Sequence, residues 1–336
     1  MIIAQTPLRL SFLGGGTDFP DYYASAANAY GGAVVGAAID KYVYVIVKER
    51  FDEKIYLNYS SKEIVDNVDD LQHDLAREAM RLTGVAKGVE ITTLADVPSE
   101  GSGLGSSSAV TVGLLQALWT YRGEIRTAEQ LAAEACRIEL ETLGRPMGVQ
   151  DGYFSALGGV RQLLFGPSDA QRIHWHSLDL PHERIAQLCN NLLLFYTHRT
   201  RKSGSILGTQ LRNIPDRMTV LDGLRDLALE GRRYLERGEL DDFGRLLHRG
   251  WLLKTQMAEG ITDKGIDEMY EAALSAGALG GKLAGAGGGG FLLLYVPLGA
   301  QEAVRACLGA QLRELPFRFE RDGSKIIFNV RRDPYF

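Results

Sequence analysis

Glycine crowds three short stretches of this chain, at residues 14–16, 101–105 and 285–290. It makes up 39 of 336 residues, about 12% against a usual ~7%. The clusters are too dense for a flexible linker and too aperiodic for collagen. They read as tight backbone turns around one ligand.

The rest of the composition is that of a globular protein, with 45% hydrophobic and 24% charged residues, which excludes a disordered chain. The length suits two domains of roughly 150 residues each. Net charge is −5. Polyanion binders are usually basic, so nucleic acid is not the expected partner, and an anionic substrate needs a local cluster of cations. Cys136, Cys189 and Cys307 are far apart and have neither disulfide-framework nor metal-site spacing. That fits a reducing cytoplasm, the expected location. The opening MIIAQTPLRLSF lacks the basic start and apolar run of a signal peptide. No apolar run approaches the ~20 residues of a membrane span, so no membrane partner is expected.

Partial alternation of Val, Ile, Tyr and Thr predicts strands at 8–13, 33–39, 42–48, 54–59 and 89–94, with a helix over 71–83 between them. Helices follow over 106–121 and 127–143. Thr127 is the N-cap of the second, and Gln130 is its capping-box partner. Strands return at 160–165 and 172–177. The second half starts with a strand at 191–196 and helices at 218–237, 240–259 and 263–276. It ends with a strand at 291–296, a helix at 301–312 and strands at 317–321 and 325–330. The polar stretch at 181–183 sets the expected boundary near 188, giving domains 1–188 and 189–336.

The strongest motif is Pro98-Ser-Glu-Gly-Ser-Gly-Leu-Gly-Ser-Ser-Ser-Ala109, between a predicted strand and a predicted helix. Gly101, Gly103 and Gly105 let backbone approach a ligand, and the first helical turn offers unpaired N–H groups to an anion. Leu104 lies among them. Ser106, Ser107 and Ser108 add hydroxyls. A capped turn needs one glycine and one serine; this stretch exceeds that, so phosphate binding is expected. No Gly-Lys-Ser/Thr follows, so it is not a Walker A loop. In Lys282-Leu-Ala-Gly-Ala-Gly-Gly-Gly-Gly-Phe291, Gly285, Gly287 and Gly290 match G-x-G-x-x-G. That fingerprint needs a strand before and a helix after. Here a helical pattern precedes and a strand follows, so the reading is a second glycine loop, including Gly288, against the same ligand.

Three other segments carry candidate chemistry. In Met147-Gly-Val-Gln-Asp151, the aspartate fits either a general base or a turn cap. Glu139, on a predicted helix between Glu134 and Glu141, reads by spacing as part of a solvated face. In Thr6-Pro-Leu-Arg9-Leu-Ser-Phe-Leu-Gly14-Gly-Gly-Thr-Asp18, Arg9 is either functional or a paired structural arginine. Thr17 and Asp18, after Gly15 and Gly16, suit sugar hydroxyls or cap the next segment. The run His198-Arg199-Thr-Arg201-Lys202 holds an anion or is merely solvated. Lys41 and Lys254, beside apolar residues, are ambiguous.

Together these segments resemble the GHMP kinase superfamily, which includes galactokinase, homoserine kinase, mevalonate kinase and phosphomevalonate kinase. Residues 98–109 resemble its Pro-x-x-x-Gly-Leu-Gly-Ser-Ser-x-Ala motif with one extra residue. Residues 282–291 resemble its C-terminal glycine motif and residues 6–18 its N-terminal motif. The resemblance implies an α+β fold, with an N-terminal α+β ATP-binding domain and a C-terminal ferredoxin-like domain. It implies ATP and Mg2+ as cofactors. It makes Asp151 the catalytic aspartate and Arg9 the basic residue that supports it and stabilises the transferring phosphoryl group. Ser107 and Glu139 become metal ligands, and Asp18 binds sugar hydroxyls. Galactokinases carry Gly-Glu-His-Thr-Asp where this chain has Gly14-Gly-Gly-Thr-Asp18. With Lys41-Tyr-Val-Tyr-Val and Gly148-Val-Gln-Asp, that form is more similar to the bacterial heptose 7-phosphate kinases of the superfamily. The expected substrate is therefore a sugar phosphate, with Arg199, Arg201 and Lys202 holding the phosphate that is not transferred. The alternatives are an unphosphorylated sugar such as fucose, or a non-catalytic nucleotide-binding regulator. Oligomeric state stays open.

Overall fold

The computed structural model describes residues 1–98, 101–166, 173–199 and 203–330. The first sheet is built on two long strands. β1 (Ile2–Leu13) is buried on both faces from Thr6 onward, and β2 (Gly32–Glu49) runs antiparallel to it. Sequence periodicity splits β2 at residues 40–41, whereas the structure makes one strand of 18 residues. The split marks a change of partner. The register with β1 shifts between Pro7 and Leu8. Residues 43–49 then pair with β5 (Val89–Ala95), and residues 32–37 with β6 (Val160–Phe165).

β3 (Ile55–Asn58) lies parallel to β5 and antiparallel to β4 (Lys62–Val65), and β7 (Ile173–Ser177) pairs with β6. The far edge is β12 (Lys325–Asn329), antiparallel to β1. The expected C-terminal unit of 189–336 thus returns its last strand to the first sheet. The strand predicted at 317–321 is a single bridge between Ile39 and Phe319. Glu320 gives its N–H to Ala38 and takes an N–H from Gly159, so the segment bridges two neighbours instead of running along one.

Helices cover this sheet. α1 (Pro20–Tyr23) is a single turn after the first glycine loop. α2 (Asp74–Thr83) and α3 (Ser106–Arg122) pack together, and α3 lies on β1 and β2. α4 (Ala128–Cys136) starts at the expected Thr127–Gln130 capping box. Its continuation, Arg137–Thr142, is a π-helical turn in which Leu143 N reaches back to Ile138 O at 3.0 Å. α5 (Gln150–Leu157) leaves no sequence signal. Every residue in it except Asp151 is buried, so it has no polar face to create a 3.6-residue period. α6 (His182–Asn190) occupies the stretch read as a boundary.

The second sheet has the order β11-β8-β10-β9. β8 (Leu192–Tyr196) leads through α7 (Ser203–Asn213), α8 (Met218–Arg237), α9 (Leu240–Lys254) and α10 (Lys264–Ser275) to β9 (Gly280–Leu283). β10 (Phe291–Tyr295) follows as a hairpin, and α11 (Gln301–Leu308) leads to β11 (Arg313–Glu314). This βαββαβ connectivity is ferredoxin-like. The whole is a two-domain α+β fold. α8 packs on β1 and β2, and α9 packs on α8 and β9. That helix layer brings the end of β1, the start of α5 and the β9–β10 loop together. No helix among the described residues is long and apolar enough to cross a membrane.

Candidate active site

Two of the glycine clusters meet backbone to backbone. Gly101, Gly103 and Gly105 all have positive φ, at 71°, 75° and 77°, a region that L-residues with a β-carbon avoid. A β-carbon on Gly103 would stand 2.3 Å from Ala284 O, and one on Gly290 would stand 2.6 Å from Gly101 O. Gly285 lies against the Gly103 backbone. Gly287 and Gly288 face elsewhere: Gly288 N donates to Ile261 O at 2.7 Å, and Gly287 packs on the same residue. A strand, β9, immediately precedes this loop where sequence reading expects a helical pattern. The loop is a hairpin turn, and no helix follows it. The Leu104 side chain is buried in the core, so only its backbone borders the site.

The first loop ends at the N-terminus of α3. Its N-cap, Gly105, supplies no side-chain hydrogen bond, and the first turn holds no acid. The N–H groups and positive dipole end there are open to an anion. Ser107 is exposed, Ser108 is buried, and Ser106 Oγ pairs with Ser102 Oγ at 3.0 Å.

Arg9 ties this loop to Asp151. It is 4% exposed. Its Nε and one terminal nitrogen donate to the two Asp151 oxygens, both at 2.7 Å, and its other terminal nitrogen donates to Gly103 O at 2.6 Å. A bidentate guanidinium–carboxylate pair of this kind fixes orientation as well as charge. Asp151 is the second residue of α5, and its side chain stays 22% exposed toward a cleft.

Glu139, in the π-helical turn, lies inside on the face that continues Ala132 and Ala135, and is 1% exposed. The solvated face expected from its spacing belongs instead to Glu141, which is exposed. Burial pushes the Glu139 carboxyl up from its ordinary pKa, against the pull of Arg145 and nearby serine hydroxyls. Glu139 Oε2 accepts from Ser107 Oγ at 3.0 Å, while among the described residues Oε1 has no hydrogen-bond partner. A buried orphan carboxylate oxygen beside a hydroxyl fits a divalent cation. Magnesium commonly takes one or two carboxylates and completes its shell with phosphate and water. Arg145, two residues past the predicted 127–143 helix and not singled out in the sequence, stands at the same place. It donates to Ser107 Oγ at 2.7 Å, approaches Glu139 at 3.6 Å and is anchored on Asp74 at 2.9 Å.

Beyond Asp151 the cleft is lined by Gly15, Gly16, Asp18, Gln150, Lys254 and Lys282. Asp18 accepts backbone N–H groups from Gly16 at 3.0 Å and Gln150 at 3.2 Å. A β-carbon on Gly148 would stand 1.9 Å from Asp18 Oδ2, so the Gly-Val-Gln-Asp stretch seats Asp18 as well as presenting Asp151. Burial, then the Asp151 charge, pushes the Asp18 carboxyl up in pKa. Thr17 is a correction to the sequence reading. Its fully buried hydroxyl is shared among Gly14 O, Ala33 O and Ala33 N, so it staples the loop and does not face the cleft. Arg199 is a second correction. Its guanidinium is paired with Asp263 at 2.6 and 2.7 Å, and it does not line the cleft. Arg201 and Lys202 lie outside the described residues. Besides Arg9, the cations that line the cleft are Lys254 and Lys282; Lys254 carries a faint sequence signal, a lysine beside apolar residues, and Lys282 only opens the second glycine motif.

The family profile described as GHMP kinases N terminal domain matches residues 70–159, and that of GHMP kinases C terminal matches residues 232–314. The chain belongs to the GHMP kinase family. The first profile covers the phosphate loop, Glu139 and Asp151; the second covers the glycine hairpin. The chain is 29% identical to a D-glycero-alpha-D-manno-heptose 7-phosphate kinase of Campylobacter jejuni, over 96% of this chain and 98% of that one. It is 28% identical to an L-fucokinase/L-fucose-1-P guanylyltransferase of Bacteroides fragilis, over 91% of this chain but 35% of that larger protein. Among solved structures, a D-glycero-D-manno-heptose 1-phosphate kinase from Bacteroides thetaiotaomicron superposes with a TM-score of 0.79 at 25% identity, covering 99% of this chain and 100% of that one. This GHMP kinase is thus similar over 96% and 99% of its length to two proteins named as heptose phosphate kinases.

Proposed function

We propose that this kinase uses ATP and Mg2+ to phosphorylate the anomeric hydroxyl of D-glycero-D-manno-heptose 7-phosphate, giving the 1,7-bisphosphate, in the cytoplasm. The observation that carries the chemistry is the double grip of Arg9, which holds Asp151 with one edge and the phosphate loop with another. Residues 101–108 would hold the triphosphate, with the 1–188 unit as its domain and the 189–336 unit closing over it through the glycine hairpin. Ser107 and Glu139 would hold magnesium, whose charge offsets that of the phosphate oxygens. Asp151 orients the acceptor hydroxyl and takes its proton. Arg9 keeps that carboxylate in place and faces the charge that develops in transfer. Such reactions rely mainly on positioning and electrostatics. Asp18 binds acceptor hydroxyls. The heptose 7-phosphate relative supports the choice of sugar.

One observation favours a second reading, in which the acceptor is an unphosphorylated sugar such as fucose: the fucokinase relative matches 91% of this chain. A panel of free and phosphorylated sugars with ATP and Mg2+, read by ADP release and by the position of the new phosphate, separates the two. Heptose 7-phosphate should have the highest kcat/KM. Equal turnover of free hexoses would refute the assignment.

A further inference from the structure

Charges in the cleft do not balance. Its lining holds three cations, Arg9, Lys254 and Lys282, and two anions, Asp18 and Asp151. Arg9 and Asp151 neutralise each other. Lys254 Nζ is held by neutral acceptors, Gln210 Oε1 at 2.6 Å and Gly15 O at 3.3 Å. Asp18 is held by two backbone N–H groups. Lys282 is 7% exposed, yet among the described residues its ammonium has no hydrogen-bond or ion-pair partner. An unpaired buried charge is costly unless something else compensates it.

Other unsatisfied polar groups point at the same space. Among the described residues Ser11 Oγ is buried without a hydrogen-bond partner, and the Gln150 amide, whose Oε1 is unpartnered too, brings its donor Nε2 close by. They converge where Gly15 has no side chain. A β-carbon there would stand 3.5 Å from Ser11 Oγ, 3.7 Å from Lys282 Nζ and 3.8 Å from Gln150 Nε2. Ser11 follows Arg9 by two positions, on the same face of β1. That spaces its Cα about 7 Å from that of Arg9, and both line the one cleft that Asp151 borders.

We infer that Ser11, Gln150 and Lys282, with Lys254 behind them, form a seat for the phosphate the acceptor already carries, and that the absent side chain of Gly15 makes room for it. The seat replaces the Arg199 cluster as the determinant of a sugar phosphate over a free sugar. It rests on the sugar-phosphate reading above only for the identity of the molecule that brings the phosphate. Depression of the Lys282 pKa to about 7, first by burial and then by Lys254 and Arg9, agrees with a site waiting for an anion.

Inorganic phosphate is the probe. It is titrated calorimetrically into the full chain while a non-hydrolysable ATP analogue with Mg2+ saturates the phosphate loop. Phosphate should still bind, and Lys282→Met should weaken it about tenfold or more, the scale of a lost charged hydrogen bond. Gly15→Asp, whose carboxylate would fill the seat at a position with no positive φ, should abolish binding. In turnover assays Lys282→Met should raise KM for the sugar phosphate by the same factor and leave KM for ATP within about twofold. Displacement of phosphate by the analogue would assign Lys282 to the transferred phosphoryl group and overturn the seat. Unchanged phosphate affinity in Lys282→Met would overturn it as well. If the seat binds phosphate while heptose 7-phosphate is not turned over, the choice of sugar fails and the seat stands.

Discussion

The two walls of the cleft are built from different material. The wall made by Gly101 and Gly103 against Gly285 and Gly290 is backbone: glycines in the left-handed region, touching one another, with a helix N-terminus behind them. The opposite wall is side chain: Ser11 and Asp18 from the first 18 residues, Gln150 from α5, Lys254 from α9 and Lys282 from β9. The first wall is held by steric fit and tolerates no β-carbon. The second buries charge, and among the described residues Lys282 has no hydrogen-bond or ion-pair partner. A backbone wall suits a ligand portion common to many kinases. A side-chain wall can change its ligand by a few substitutions without disturbing the fold.

If that contrast holds, substitutions on the two walls should fail in different ways. The largest effect is expected where the walls join. Asp151→Asn should retain fold and nucleotide affinity while turnover falls by about two orders of magnitude or more, the usual scale for a lost acid–base or electrostatic group. Turnover within a few-fold of wild type would remove Asp151 from the chemistry. On the backbone wall, Gly103→Ala must relieve both a positive φ and a 2.3 Å contact. It should cost roughly 1–3 kcal/mol of stability and raise KM for ATP about tenfold, both seen in one set of melts and kinetics. An unaffected melting temperature would mean that the loops are not packed as described.

The metal-side comparison is subtler. Glu139→Ala should raise the magnesium concentration needed for half-maximal activity several-fold, and Glu141→Ala should not, because the first is buried beside Ser107 and the second is exposed. A larger effect from Glu141→Ala would contradict this geometry. The smallest effect concerns the acceptor wall and pH. Lys282 is faced by Arg9 from β1, Asp18 from the glycine loop, Asp151 from α5 and Lys254 from α9. Its folded pKa, about 7, lies below its ordinary 10.5. Between those values the unfolded chain holds a proton that the folded chain lacks, so stability rises with pH across that window. Lys282→Met should therefore melt higher than wild type at pH 6, and the advantage should shrink as pH rises toward 10. Parallel melting curves across that range would show that Lys282 does not carry an uncompensated charge.

Much of the backbone wall is legible in the sequence, because its determinants are local. Alternate glycines at 101, 103 and 105 permit the left-handed turns that the loop adopts, and a serine run at a helix start offers donors in any fold. The Thr127–Gln130 capping box likewise sits within four residues. Arg9 and Asp151 remain ambiguous until a family resemblance or the fold brings them together across 142 positions. Glu139 shows the limit of judging a residue by its sequence neighbours: it stands near Glu134 and Glu141 along the chain, yet around the helix it lies about 140–160° from them, on the side of the buried Leu131, Ala132 and Ala135. Tertiary structure alone decided the acceptor wall. Lys254 and Lys282 share a cleft only because α9 packs on β9 beneath the end of β1. Arg199 is removed from that cleft by Asp263, 64 positions away. A side chain's charge is written in the sequence, but what neutralises it depends on which distant residues the packing brings within a few ångströms.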